Sequence, residues 1–166
     1  MRLTSKGRYA VSAMVDLNKH GMEGPVTLAS VSERQFISLS YLEQLFRKLR
    51  ENDLVSSVRG PGGGYQLTRP ASDISIAEVI AAVNEPIRTT MCENAIRGCH
   101  RGKRCDTHQL WEAMGQHIYR FLDAVTIEDV CQKEVFLDRI ELGDVKNYMP
   151  ETEAVRVEVK GATAVS

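Results

Sequence analysis

Ile37-Ser-Leu-Ser-Tyr-Leu-Glu-Gln-Leu-Phe46, followed by Leu54-Val-Ser-Ser-Val-Arg-Gly-Pro-Gly-Gly-Gly-Tyr65, decides the fold. In the first stretch Leu42, Leu45, Phe46 and Leu49 recur at helical spacing, which predicts a helix from about 40 to 52. Ser40-x-x-Glu43 reads as its capping box. In the second stretch Leu54–Val58 and Tyr65–Leu67 read as short strands. Between them, Arg59-Gly-Pro-Gly-Gly-Gly64 holds four glycines and a proline in six residues. Neither helix nor regular strand tolerates that composition, so it is a hairpin tip whose backbone can approach another surface closely.

Towards the N-terminus, Tyr9, Ala10, Ala13, Met14 and Leu17 predict a helix capped by Thr4 and ended by Gly21 and Gly24-Pro25. A shorter helix is expected from about Thr27 to Gln35, with Leu28, Val31 and Ser32 inward. Two short helices joined by a tight turn are a helix-turn-helix, and the glycine-rich hairpin after them makes it winged. Towards the C-terminus, Ser75-x-x-Glu78 opens a helix through Val79, Ile80 and Val83 that ends before Pro86. A long helix from about Thr107 to Val125 carries Trp111, Met114, Ile118, Phe121 and Val125, a heptad seam that predicts a homodimer interface. Thr126-x-x-Asp129 caps a further short helix.

The expected fold is therefore mainly α with a small β-hairpin: a winged helix-turn-helix plus a long dimerisation helix. Residues 1–84 form the winged-helix domain, complete without the long helix. Residues 85–106 form a ligand-binding loop, and 107–130 the dimerisation helix and a short C-terminal helix. Residues 131–166 are expected to be a flexible tail.

Cys92, Cys99, Cys105 and His108 fall within seventeen residues as C-x6-C-x5-C-x2-H. Thiolates and imidazole suit soft or borderline metals, and four such ligands close one zinc site or hold one small iron–sulfur cluster. The spacing lacks the close pairs of zinc fingers, and on spacing alone both readings stand. Cys105 and His108 are expected one turn apart on one face at the start of the long helix, with positive helix-terminal charge toward the anionic thiolates. Cys131 reads as a small packing residue.

Composition is that of an ordinary globular chain, 43% hydrophobic and 26% charged. No apolar run approaches a membrane span, and the basic N-terminus lacks a signal-peptide core, which predicts a cytoplasmic protein with reduced thiols. Residues 1–70 carry ten Lys/Arg against six Asp/Glu, and residues 71–166 eleven against sixteen. The basic half is the helix-turn-helix half, as a polyanion-binding surface requires.

These motifs, with Met1-Arg-Leu-Thr-Ser-Lys-Gly-Arg-Tyr-Ala-Val11, closely resemble the IscR family of iron–sulfur cluster regulators over roughly residues 1–130. The resemblance implies a homodimeric winged-helix transcription factor, not an enzyme. It would bind pseudo-palindromic double-stranded DNA, carry a 2Fe-2S cluster supplied by cluster assembly proteins, and control cluster assembly genes. The implied cluster ligands are Cys92, Cys99, Cys105 and His108. The implied DNA contacts are Ser40, Glu43 and Gln44 on the recognition helix, and Arg59, Gly60 and Gly62 at the wing. Gln44 can pair with adenine and Glu43 can accept from cytosine, while Arg59 suits a narrow minor groove.

The chain departs from the family pattern in three places. The Cys92–Cys99 gap is one residue longer, and Phe36 and Asp53 stand where glycine is expected. A Phe36 kept at positive φ costs about 1–2 kcal/mol. Rival readings are a related regulator sensing nitric oxide, redox state or cysteine metabolism, a zinc-bound DNA-binding protein, an electron carrier, and an enzyme with a nucleophilic cysteine.

Overall fold

The computed structural model describes residues 5–84 and 105–133. Six α-helices and one hairpin follow in order: α1 (Ser5–His20), α2 (Leu28–Gln35), α3 (Leu39–Glu51), β1 (Val55–Val58), β2 (Gly64–Leu67), α4 (Ile76–Ala82), α5 (His108–Ala124) and α6 (Ile127–Gln132). This is the expected mainly helical winged architecture. Thr4, Pro86 and the expected tail from residue 134 on lie outside the described residues.

The core is built by one face from each helix. α1 contributes Ala10, Ala13, Met14 and Leu17, α2 Leu28 and Val31, α3 Leu42, Leu45, Phe46 and Leu49, and α4 Ile76, Val79 and Ile80. Burying each large aliphatic side chain contributes about 1.5–3 kcal/mol. Aromatic edges tie the layers: Phe46 of α3 meets Tyr65 of β2 at 4.9 Å, and Tyr9 of α1 meets Tyr41 of α3 at 5.9 Å.

β1 and β2 pair antiparallel, with Val55 opposite Leu67 and Val58 opposite Gly64. The sheet gains a third partner at Val26, whose N–H donates to the Tyr65 carbonyl at 2.9 Å while the Tyr65 N–H returns to the Val26 carbonyl at 2.8 Å. Gly64 makes this possible, because a β-carbon there would run into the Val26 carbonyl. The wing is thus fixed to the segment that leads into α2.

The C-terminal helices pack into the winged domain. Val125 and Ile127 are buried in the same core as α1 and α4. The Ile76 N–H donates to the Val125 carbonyl at 2.9 Å and the Ile127 N–H to the Ile74 carbonyl at 3.0 Å. Two capping boxes face each other across this junction, Ser75 with Glu78 and Thr126 with Asp129, both as predicted. Short helices depend on such caps. Ser75→Ala removes the oxygen that accepts the Glu78 N–H at 3.1 Å. It is expected to lower unfolding free energy by about 1–2 kcal/mol, read from a denaturant midpoint.

Candidate DNA-reading face and metal-ligand segment

The recognition helix α3 starts earlier than its sequence suggests. Ser38, not Ser40, is the N-cap residue, and its side chain makes no capping bond. Ile37 and Leu42 occupy the positions of a hydrophobic staple around that cap, and both are buried. Their burial sets the start of the helix. Ser40 therefore lies inside the first turn, and the proposed Ser40–Glu43 capping box does not form. Ser40, Glu43 and Gln44 are all solvent-exposed on one stretch of α3. Glu43 is thereby released from a structural duty that competed with its use in recognition.

At the wing, Arg59 is exposed beside Gly60 and Gly62, whose φ angles are 107° and 76°. Those left-handed values explain the glycines and turn the tip tightly enough to leave Arg59 at its edge. A recess between the wing tip and α2 is lined by Gly62, Thr27, Ser30, Arg34 and His20.

One polar cluster escaped the sequence reading. Asp16 is 2% exposed, on the otherwise apolar face of α1. Arg34 clasps its carboxylate with Nε at 3.0 and 3.1 Å and Nη2 at 2.7 Å, and Gln35 Nε2 adds a bond at 2.9 Å. His20 Nδ1 sits 3.7 Å from the same carboxylate. Burial pushes the Asp16 pKa up, but the hydrogen bonds from Arg34 and Gln35, with the charges of Arg34 and His20, outweigh it and hold the carboxyl below its usual range. The cluster pins the last residues of α2 to α1, immediately before the turn into α3. The signal available in sequence was a carboxylate at the helical spacing of Ala13 and Leu17.

Of the four metal-ligand candidates, Cys92 and Cys99 lie outside the described residues. Cys105 and His108 are half-buried neighbours at the entry to α5. They do not both sit on the helix, as the spacing had suggested. α5 begins at His108, and Cys105 lies in the preceding turn, its carbonyl accepting the His108 N–H at 3.0 Å. The helix N-terminus has no side-chain cap. The Thr107 hydroxyl instead lies 3.6 Å from Cys105 Sγ and accepts from Trp111 Nε1 at 3.2 Å. An uncapped helix start beside a thiol favours an anionic ligand group there. Among the described residues no three His, Cys, Asp or Glu side chains converge as a metal site. Cys131 is partly buried and packs against the core, with Asn18 Nδ2 3.3 Å from its sulfur.

The heptad seam of α5 divides. Phe121 packs on the core and Val125 is buried in it, but Trp111 remains 38% exposed and no residue of the helix itself is fully buried. Leu110 and Tyr119, at 61% and 49% exposed, broaden the apolar surface. No helix of the described residues is long and apolar enough to cross a membrane.

Comparison with known proteins settles the class. The model of the Rrf2 family, described as "Iron-dependent Transcriptional regulator", matches residues 3–133. The chain belongs to the Rrf2 family. It is 56% identical over 138 residues to the HTH-type transcriptional regulator IscR of Xenorhabdus nematophila, covering 83% of this chain and 84% of that one. It is 52% identical over 147 residues to IscR of Yersinia pestis, covering 89% and 87%. Among solved structures, T. potens IscR is 37% identical with a TM-score of 0.66, covering 80% of this chain and 88% of that one. CymR, "the Global Cysteine Regulator of B. subtilis", is 30% identical with a TM-score of 0.69, covering 80% and 98%. The IscR resemblance is borne out. This Rrf2 member is a DNA-binding transcriptional regulator of the IscR type, not an enzyme.

Proposed function

We propose that this Rrf2 member is a homodimeric regulator that senses iron–sulfur status through a 2Fe-2S cluster on Cys92, Cys99, Cys105 and His108 and controls cluster assembly genes in the cytoplasm. The observation that carries the reading is the placement of Cys105 and His108 at the uncapped start of α5, a helix whose far end is stitched into the DNA-binding domain. Three thiolates and one imidazole fit a 2Fe-2S centre, and the helix start and Thr107 hydroxyl fit its negative charge. A bound cluster supplies bonds that oxidation or iron shortage can break. Cys105 holds the turn before α5 and His108 its first residue, so ligation fixes the entry to that helix. The IscR name of the relatives supports the same assignment, with cluster assembly proteins as donors.

On the DNA side, α3 would place Ser40, Glu43 and Gln44 in the major groove, while Arg59 with the Gly60 and Gly62 backbone would meet the minor groove and phosphates. Two copies joined through α5 read a pseudo-palindromic duplex. Lys6, Arg8, Arg47 and Lys48 add charge on the same half.

Anaerobically purified protein tests the cofactor. It is expected to be coloured and to carry two irons and two labile sulfides per chain. Cys105→Ala is expected to abolish both and His108→Ala to leave a weakly held cluster, with helix content unchanged by circular dichroism. Colourless protein that retains one zinc and no labile sulfide after reconstitution would place it among zinc-bound regulators instead.

A further inference from the structure

We propose that Phe36, in the turn between α2 and α3, is a DNA-contacting residue that lays its ring on apolar C–H surface at the edge of the major groove. That surface is the thymine 5-methyl group or the deoxyribose face, and the proposal rests on the DNA reading above.

Phe36 combines two unfavourable features. Its backbone is left-handed, φ 54° and ψ 39°, a region that a bulky side chain adopts only under strain. Its ring is 94% exposed, so the fold returns no burial for that strain. The other non-glycine residues at positive φ among the described residues are Asp53, Asn84 and Lys133, all polar. Phe36 alone holds a large apolar group there.

The ring is also presented rigidly. On one side, Arg34 and Gln35 are bound to the buried Asp16 carboxylate. On the other, Ile37 is buried and its carbonyl accepts from Ser32 Oγ at 2.5 Å. Phe36 is the one side chain of Arg34–Ile37 that these anchors leave outside, and its backbone cannot relax without breaking them.

Phe36 stands at the N-terminal end of α3. Helices α2, α4 and α6 are each closed by a side-chain cap from Thr27, Ser75 and Thr126. α3 has none, and no acidic residue stands in its first turn. The Leu39 and Ser40 N–H groups thus stay available to phosphate at the end of the helix where Phe36 stands, three residues before Leu39, while the Tyr41 N–H is bonded to the Ser38 carbonyl at 3.1 Å. Leu39 is itself 43% exposed, so the approach edge carries two apolar side chains beside Ser40 and Glu43. Inside a groove, the apolar partners for such a ring are thymine methyls and sugar C–H groups.

Phe36→Gly removes the ring and relieves the strained backbone together. Duplexes selected from a random pool by the wild-type protein serve as probe, each also made with uracil in place of thymine. The glycine variant is expected to bind them about 5- to 10-fold more weakly while melting at the same or a higher temperature. Opposite signs for affinity and stability are not produced by a purely structural residue. If uracil removes the wild-type advantage, the contact is the thymine methyl; if it does not, the contact is deoxyribose. Equal affinity of wild-type and Phe36→Gly overturns this proposal alone. A wild-type protein that selects no duplex overturns the DNA reading and this proposal with it.

Discussion

Asp16→Ala is expected to lower unfolding free energy by about 3 kcal/mol and the melting temperature by about 10 °C. The carboxylate is 2% exposed and accepts from Arg34 and Gln35, so its removal opens a cavity and leaves both donors without their partner. Arg34 is 34% exposed and can turn to solvent, which keeps the cost below that of a fully enclosed pair. The pH dependence has a definite sign. The folded-state pKa of Asp16 lies below the ordinary value of an aspartate carboxyl. Its contribution is therefore complete above the unfolded value and is lost as pH falls through the folded one. Glu78 behaves alike: burial raises its pKa, but the Ser75 N–H and Arg69 outweigh that and lower it. Wild-type stability should fall on acidification from about pH 4, and Asp16→Asn should flatten that fall. A denaturant midpoint measured from pH 6 to pH 3 checks both slopes. Because Arg34 and Gln35 lead into the turn before α3, Asp16→Ala should also weaken DNA binding at temperatures where the variant is still folded.

Ile118→Lys is expected to break the proposed α5–α5 dimer into monomers and weaken binding to a two-fold duplex by about 100-fold or more, since linked half-sites gain about two to four decades from effective concentration. Ile118 lies mid-seam between Met114 and Phe121, and it is half-buried within one chain. A charge there has room in the monomer but not in a packed α5–α5 seam. Sedimentation velocity reads the association, and thermal melting shows that the protomer still folds. A variant that remains dimeric would move the interface away from α5.

The sequence disclosed most of this architecture because its signals were local. Helical spacing, the Ser75–Glu78 and Thr126–Asp129 boxes and the glycine-rich hairpin are each written within a few residues. What was missed depends on contacts distant in the chain. Asp16 and Arg34 are eighteen residues apart, and only the crossing of α1 and α2 makes them partners. The start of α3 is hidden in the sequence because Ser40-x-x-Glu43 fits a capping box by pattern, whereas burial of Ile37 and Leu42 decides for Ser38. The packing of Val125 and Ile127 against α1 and α4 is invisible in the sequence for the same reason, and it joins α5 and α6 to the core that carries α3 and the wing. The sequence shows a bulky residue at Phe36 where the turn favours glycine, but its exposure comes only from the fold. At the metal-ligand segment, the residue types spoke clearly, while the start of α5 at His108 left Cys105 in the turn before it.

Under the proposed function, ligation at Cys105 and His108 changes how α3 and the wing read DNA. The most direct test is site selection from one random duplex pool by cluster-loaded protein and by the same protein stripped of metal, both kept anaerobic and reduced. Different preferred sequences are predicted for the two forms, with the difference diminished by Glu43→Ala, whose carboxylate α3 holds exposed and unengaged by a cap. Identical preferences and affinities for the loaded and stripped protein would contradict the account.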